Sequence, residues 1–97
     1  MARQPESKLA KKVKQYLVAQ GAFVFNVHGG DSPFQEIGLP DLLCCFRGLY
    51  VGLELKLPGE NPSRIQELQM GKIRDAGGIA EVVRSVSDVR LILERIE

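Results

Sequence analysis

Histidine occurs once in the chain, at His28, and cysteine only twice, at the adjacent Cys44 and Cys45. That scarcity excludes a Cys/His zinc set. Neighbouring strand residues point to opposite faces, which argues against a bond between the two cysteines. Both are expected to be buried, reduced, small hydrophobes, in keeping with a reducing cytosol. Charge of one sign is also scarce: 13 Lys and Arg against 12 Asp and Glu leave a net +1. Composition therefore announces no nucleic-acid partner, and any basic footprint has to be local. No apolar run approaches the ~20 residues of a membrane span. The opening Met-Ala-Arg-Gln-Pro-Glu lacks the apolar core of a secretory signal. A cytoplasmic location without a membrane partner is the expectation. Repeats, low-complexity tracts and dividing linkers are missing too.

What is present suits a single domain over residues 1–97. At 44% apolar residues the chain is ordinary for a folded protein. Its size allows one core with little to spare. Residues 5–20 read as a helix, with Pro5 at the first position, Glu6 in the first turn and Gly21 as the stop. Leu9, Val13, Tyr16 and Leu17 form its apolar stripe. Lys8, Lys11, Lys12 and Lys14 lie off it. Residues 22–27 read as a strand and 29–38 as a polar loop, long for so small a domain. Residues 41–46, apolar after Asp41, predict a strand covered on both faces. Arg47-Gly48 makes a turn, and 49–57 form the partner strand, in which Val51, Leu53, Leu55 and Leu57 alternate with Gly52, Glu54 and Lys56. Residues 62–76 are expected to be helical, capped by Asn61 and stopped by Gly77-Gly78, with a stripe of Ile65, Leu68, Gln69, Ile73 and Ala76. A strand at 79–83 and a helix at 86–96 follow, with Ser85 and Asp88 at capping-box spacing. The order α-β-β-β-α-β-α predicts an α/β fold with a mixed four-stranded sheet flanked by helices.

Asp41 opens one strand of a hairpin and Glu54 lies on the other, so two carboxylates can converge at one edge of the sheet. Oxygen ligands without nitrogen or sulfur alternatives suit a hard cation, Mg²⁺ or Mn²⁺. Lys56, two residues beyond Glu54, projects from the same face. There it can orient a water or stabilise developing negative charge. Phosphodiester hydrolysis needs such a set, because the substrate is anionic and its leaving alkoxide poor. Glu-x-Lys and Pro-Asp are each common as solvated strand residues and turns. Their combination on a sheet covered from both sides requires a reason.

Gly38-Leu39-Pro40-Asp41-Leu42-Leu43 followed by Gly52-Leu53-Glu54-Leu55-Lys56 resembles the two halves of the PD-(D/E)XK nuclease signature. More narrowly, the chain resembles a stand-alone VRR-NUC (virus-type replication-repair nuclease) domain of phage or bacterial type. Glu6-Ser7, Ser63-Arg64-Ile65-Gln66, Ala76-Gly77-Gly78 and Val82-Val83-Arg84-Ser85 match further features of that family in order. The resemblance implies a restriction-endonuclease-like core and a metal held by Asp41, Glu54 and the Leu55 carbonyl, with Glu6 direct or through water. It implies Lys56 as the catalytic lysine and Gln66 as a group that supports the site or positions substrate. The implied cofactor is Mg²⁺, with Mn²⁺ able to substitute, and the implied substrate is branched DNA such as four-way (Holliday) junctions in repair. Lys8 and Lys12, with Lys11 nearby, and Arg64 are the candidate DNA-binding cations. His28 is left outside the catalytic set. A homodimer is expected, because cutting two opposed strands of a junction calls for two sites. The competing readings are an inactive DNA-binding module of the same fold, a nuclease for flaps or nicked duplex, and an interaction protein using Asp31-Ser32-Pro33-Phe34.

Overall fold

The computed structural model describes residues 4–26 and 37–96, with side chains over 7–25 and 37–96. His28, the Glu6 side chain and most of the polar loop, Asp31 to Phe34 included, lie outside the described residues. The elements are α1 (Gln4–Ala19), β1 (Phe23–Asn26), β2 (Leu42–Phe46), β3 (Leu49–Leu55), α2 (Arg64–Asp75), β4 (Ile79–Val83) and α3 (Val86–Glu94). This is the expected α-β-β-β-α-β-α order. The sheet runs β1-β2-β3-β4, antiparallel twice and then parallel. Arg47 and Gly48 both take positive φ, 52° and 83°. Two consecutive left-handed residues give a turn whose twist matches the flanking strands, and the β2–β3 hairpin follows. The parallel β3–β4 pair needs a crossover, which α2 supplies.

One face of the sheet carries the core. Leu42, Cys44, Val51, Leu53, Leu55 and Val83 bury there beneath Leu9, Val13 and Leu17 of α1 and Val89, Ile92 and Leu93 of α3. The other face is covered by α2 only over its β3–β4 half, where α2 packs on β4. Gly52 makes that cover possible. A Cβ there would sit 2.9 Å from Pro40 Cγ and 3.2 Å from Ile73 Cδ1. β3 is therefore covered on both sides, and every residue from Val51 to Leu55 is buried.

Three expectations need correction. Cys44 is buried but Cys45 is exposed. Cys45 faces the half of the sheet that α2 leaves open, between Phe23 and Tyr50 in the register. Burial pushes the Cys44 thiol up to about 11, so it is inert as a nucleophile. Second, α2 begins at Arg64 with Ser63, not Asn61, as its cap. Third, the inward stripe of α2 keeps Gln69 and Ile73 of the expected set but not Ile65, Leu68 or Ala76. Gln69 and Met70 are buried, while Ile65 and Leu68 are exposed. The helix is turned so that positions 66, 69, 70 and 73 face the sheet, an i, i+3, i+4, i+7 set that opens with two glutamines.

Candidate active site

Asp41 and Glu54 meet because the hairpin register brings them together. Leu42 pairs with Leu53 and Leu43 with Gly52, so one step further places Asp41 opposite Glu54. Asp41 stands just before β2, and its Oδ2 accepts a hydrogen bond of 2.9 Å from the Leu55 amide. That bond ties the first carboxylate to the strand that carries the second.

Glu54 is only 1% exposed, at the centre of the sheet. Its Oε2 accepts from Gln66 Nε2 at 2.7 Å and lies 3.7 Å from Lys56 Nζ. Its Oε1 is buried without a hydrogen-bond donor among the described residues. The Glu54 carboxyl also lies within hydrogen-bonding reach of the Asp41 carboxyl, and two acceptors that close need a shared proton or a cation between them. Burial, then the Asp41 charge, push the Glu54 carboxyl up to about 8, with Lys56 pulling in the opposite direction. Burial and the Asp41 charge thus oppose ionisation of this group more than Lys56 favours it.

Gln66 is oriented by its own helix. Ser63 and Gln66 form a capping box: Ser63 Oγ accepts from the Gln66 amide at 3.2 Å, and Gln66 Oε1 accepts from the Ser63 amide at 2.8 Å. With its oxygen committed to the cap, the side chain must turn its NH₂ group to Glu54. Gln69, one turn on, is also buried, and its Nε2 donates to the Ile37 carbonyl at 3.0 Å. Gly38 follows at φ 85°, with room only for hydrogen, since a Cβ would lie 2.8 Å from Ile65 Cγ1. Together these contacts dock on α2 the segment that leads to Asp41. Gln69 occupies the inward stripe expected of α2, but its contact with Ile37 is a polar one, signalled in the sequence only by its spacing of three from Gln66.

The structure thus gathers Asp41, Glu54, the Leu55 backbone, Lys56 and Gln66 at one point. A hard cation fits there: the donors are all oxygen, Glu54 Oε1 is buried without a hydrogen-bond partner among the described residues, and burial and the Asp41 charge oppose ionisation of Glu54, which a cation would offset. Among the described residues no third Asp, Glu, His or Cys joins the pair. Lys8 and Lys12 are not in this cluster. They line a separate groove with Leu9, Arg84, Ser85, Val86 and Ser87, between α1 and the start of α3. Arg64 is exposed on the first turn of α2, two residues from Gln66.

No protein-family profile matches the sequence, and no curated protein is significantly similar to it. Among solved structures, one described as a VRR-NUC domain superposes with a TM-score of 0.78 at 26% identity, over 96% of this chain and 98% of that one.

Proposed function

From the premise that this chain is a domain of VRR-NUC fold, we propose that it is a metal-dependent endodeoxyribonuclease. The likeness supports a nuclease in general. The observation that carries the finer reading is the buried Glu54 carboxyl with one orphaned oxygen, faced by Asp41 and flanked by Lys56. Asp41, Glu54 and the Leu55 carbonyl would hold Mg²⁺ or Mn²⁺, with Glu6 as a further ligand. Bound there, the ion would acidify a water and neutralise charge on the phosphate.

The chain's own residues supply the rest. Gln66 fixes Glu54 and the Leu55 amide fixes Asp41, so neither carboxylate has to reorganise when the substrate arrives. Lys56, its side chain 17% exposed, places an ammonium where charge grows on the phosphoryl oxygens. In the reaction a bond forms from water oxygen to phosphorus and the bond to the leaving alkoxide breaks. The water's protons end on solvent and on the leaving oxygen. Lys8 and Lys12 in their groove, and Arg64 at the head of α2, would hold DNA backbone without reading sequence.

We further propose branched DNA as the substrate and a homodimer as the active form, since paired cuts at a junction require two sites on a two-fold axis. The open, aromatic half of the sheet at Phe23, Phe25 and Tyr50 supports a second copy as partner. The test is a cleavage panel of duplex, nicked, flap and four-way-junction DNA with Mg²⁺ or Mn²⁺, using wild type and Asp41→Asn. Cleavage by wild type alone, lost in chelator, is expected. Full cleavage by Asp41→Asn would remove the proposed site, and metal-independent retention of DNA without cutting would leave only a binding module.

A further inference from the structure

We infer that Arg84 is a positioning residue for Lys56: from the junction of β4 and α3 it clamps the turn that follows Lys56 and so sets where that ammonium stands beside Glu54. The rate consequence rests on the nuclease reading, while the positioning itself does not.

Lys56 is the first residue beyond β3, which ends at Leu55. One sheet-like bond still holds it, from its amide to the Val83 carbonyl at 3.1 Å. Past that point the chain leaves the core. Pro58, Gly59 and Glu60 are exposed, so packing does little to hold this turn. It closes on itself instead: the Glu60 amide donates to the Leu57 carbonyl at 3.0 Å, and Leu57 N–H donates to Glu60 Oε1 at 2.9 Å. A turn closed in this way is stiff but can still swing as a unit about its join with β3.

Arg84 prevents that swing. Its Nη1 donates to the Leu57 carbonyl at 3.1 Å and to the Glu60 carbonyl at 2.7 Å, one bond to each end of the turn. Arg84 is itself anchored. Its amide donates to Asp88 Oδ2 at 2.8 Å, and Asp88 N–H donates to the capping Ser85 Oγ at 3.2 Å. The first turn of α3, whose Val89 is fully buried, therefore holds Arg84, and Arg84 holds the backbone beside Lys56. Lys56 Nζ stands 3.7 Å from Glu54 Oε2 at the end of a flexible stem. For such a group the backbone position decides where the charge can dwell. A displacement of about 1 Å at a catalytic group costs on the order of 10² in rate.

Both clamp bonds come from a single nitrogen. A lysine ammonium can imitate that, one bond shorter, whereas methionine cannot. The experiment compares Arg84→Met and Arg84→Lys with wild type in the full chain. It reads single-turnover cleavage at saturating DNA with Mg²⁺, DNA affinity with Ca²⁺, and the NMR order parameters of residues 56–60 with the Lys56 ¹³Cε shift. Arg84→Met is expected to lose roughly 10- to 100-fold in saturated rate, with a displaced Lys56 resonance and a loosened turn; because Arg84 also lines the Lys8/Lys12 groove, the rate is compared at saturating DNA, where a change in affinity alone does not lower it. Arg84→Lys is expected to recover part of each. Weaker DNA binding at an unchanged saturated rate would make Arg84 a DNA contact and overturn the inference. So would Lys56 resonances that stay in place in folded Arg84→Met. Should Arg84→Met fail to fold, the same resonances in Arg84→Lys decide, and unmoved ones overturn it. A wild type that cuts nothing would refute the nuclease reading while the NMR comparison still decides the clamp.

Discussion

The metal-free protein is expected to become less stable as pH rises, and Glu54→Gln is expected to abolish that trend. Glu54 is 1% exposed, and its carboxyl is pushed from 4.5 up to about 8 by burial and then by Asp41. Between those two values the folded state binds a proton that the unfolded state has released. Stability is therefore fully present below about pH 4.5 and is lost progressively until the folded-state value near 8, then levels. The limiting slope for one such group is about 1.4 kcal/mol per pH unit, so the whole excursion is on the order of a few kcal/mol. That is a large share of the roughly 5–15 kcal/mol that stabilises a domain of this kind.

Glutamine is the right probe because it imitates the protonated acid. Its carbonyl still accepts from Gln66, and its NH₂ can donate to Asp41 as the protonated acid would. Urea unfolding followed by far-ultraviolet circular dichroism, in chelator and at fixed protein concentration, gives the comparison. The two proteins should be similarly stable near pH 5, with the variant gaining on wild type up to about pH 8 and not beyond. Adding Mn²⁺ at alkaline pH should restore wild type and not the variant, since only the ionised pair attracts the cation. A difference between the two proteins that does not change with pH would refute the reasoning, because Glu54 would then be ionised in the fold.

Lys56→Ala is expected to lose on the order of 10²–10³ in cleavage rate while retaining Mn²⁺ binding by calorimetry. Unchanged cleavage with weaker metal binding would move Lys56 to a structural role. Lys8→Ala with Lys12→Ala should weaken DNA binding and flatten its salt dependence by about one unit per lost phosphate contact; an unaltered slope would place the DNA elsewhere. Light scattering at micromolar concentration should give twice the 10.7 kDa of the chain, and a strict monomer that makes paired junction cuts would end the dimer argument.

Much of this was legible in the sequence because it depends on local rules. The period of two from Val51 to Leu57 put Glu54 and Lys56 on one face, and the 3.7 Å contact between them follows from it. Strand β4 begins and ends where the residues expected of it do, at Ile79 and Val83. Ser85 caps α3 as its spacing suggests, although the Asp88 carboxylate accepts from Arg84 rather than from Ser85. What escaped was set by tertiary packing. Nothing local says that α2 covers only half of one sheet face, which leaves Cys45 and Tyr50 open and Gly52 closed in. Nor does hydrophobicity reveal that a helix faces inward with glutamines. The expected stripe held Gln69 and Ile73, which do face the sheet, but also Ile65 and Leu68, both exposed, and it left out Gln66.

Those glutamines explain why a costly buried carboxyl can persist at the centre of so small a core. Capping boxes accept Glu or Gln at the third helical position, since either can take the backbone N–H of the cap. Here the position has a second duty that only Gln can perform. The Ser63 amide takes the oxygen of Gln66, and the nitrogen remains as a donor 2.7 Å from Glu54 Oε2. A glutamate in its place would cap the helix equally well and set a third carboxylate against Asp41 and Glu54, where burial has already made one charge hard to sustain. The helix start and the site are thus a single hydrogen-bonded unit, in which Ser63 positions Gln66 and Gln66 positions Glu54. Gln69 extends the unit to the segment before Asp41, so one helix face fixes both carboxylates of the hairpin. The short motif Ser-x-x-Gln sets the surroundings of Glu54 for that reason, although each of its residues alone is ordinary for a helix start.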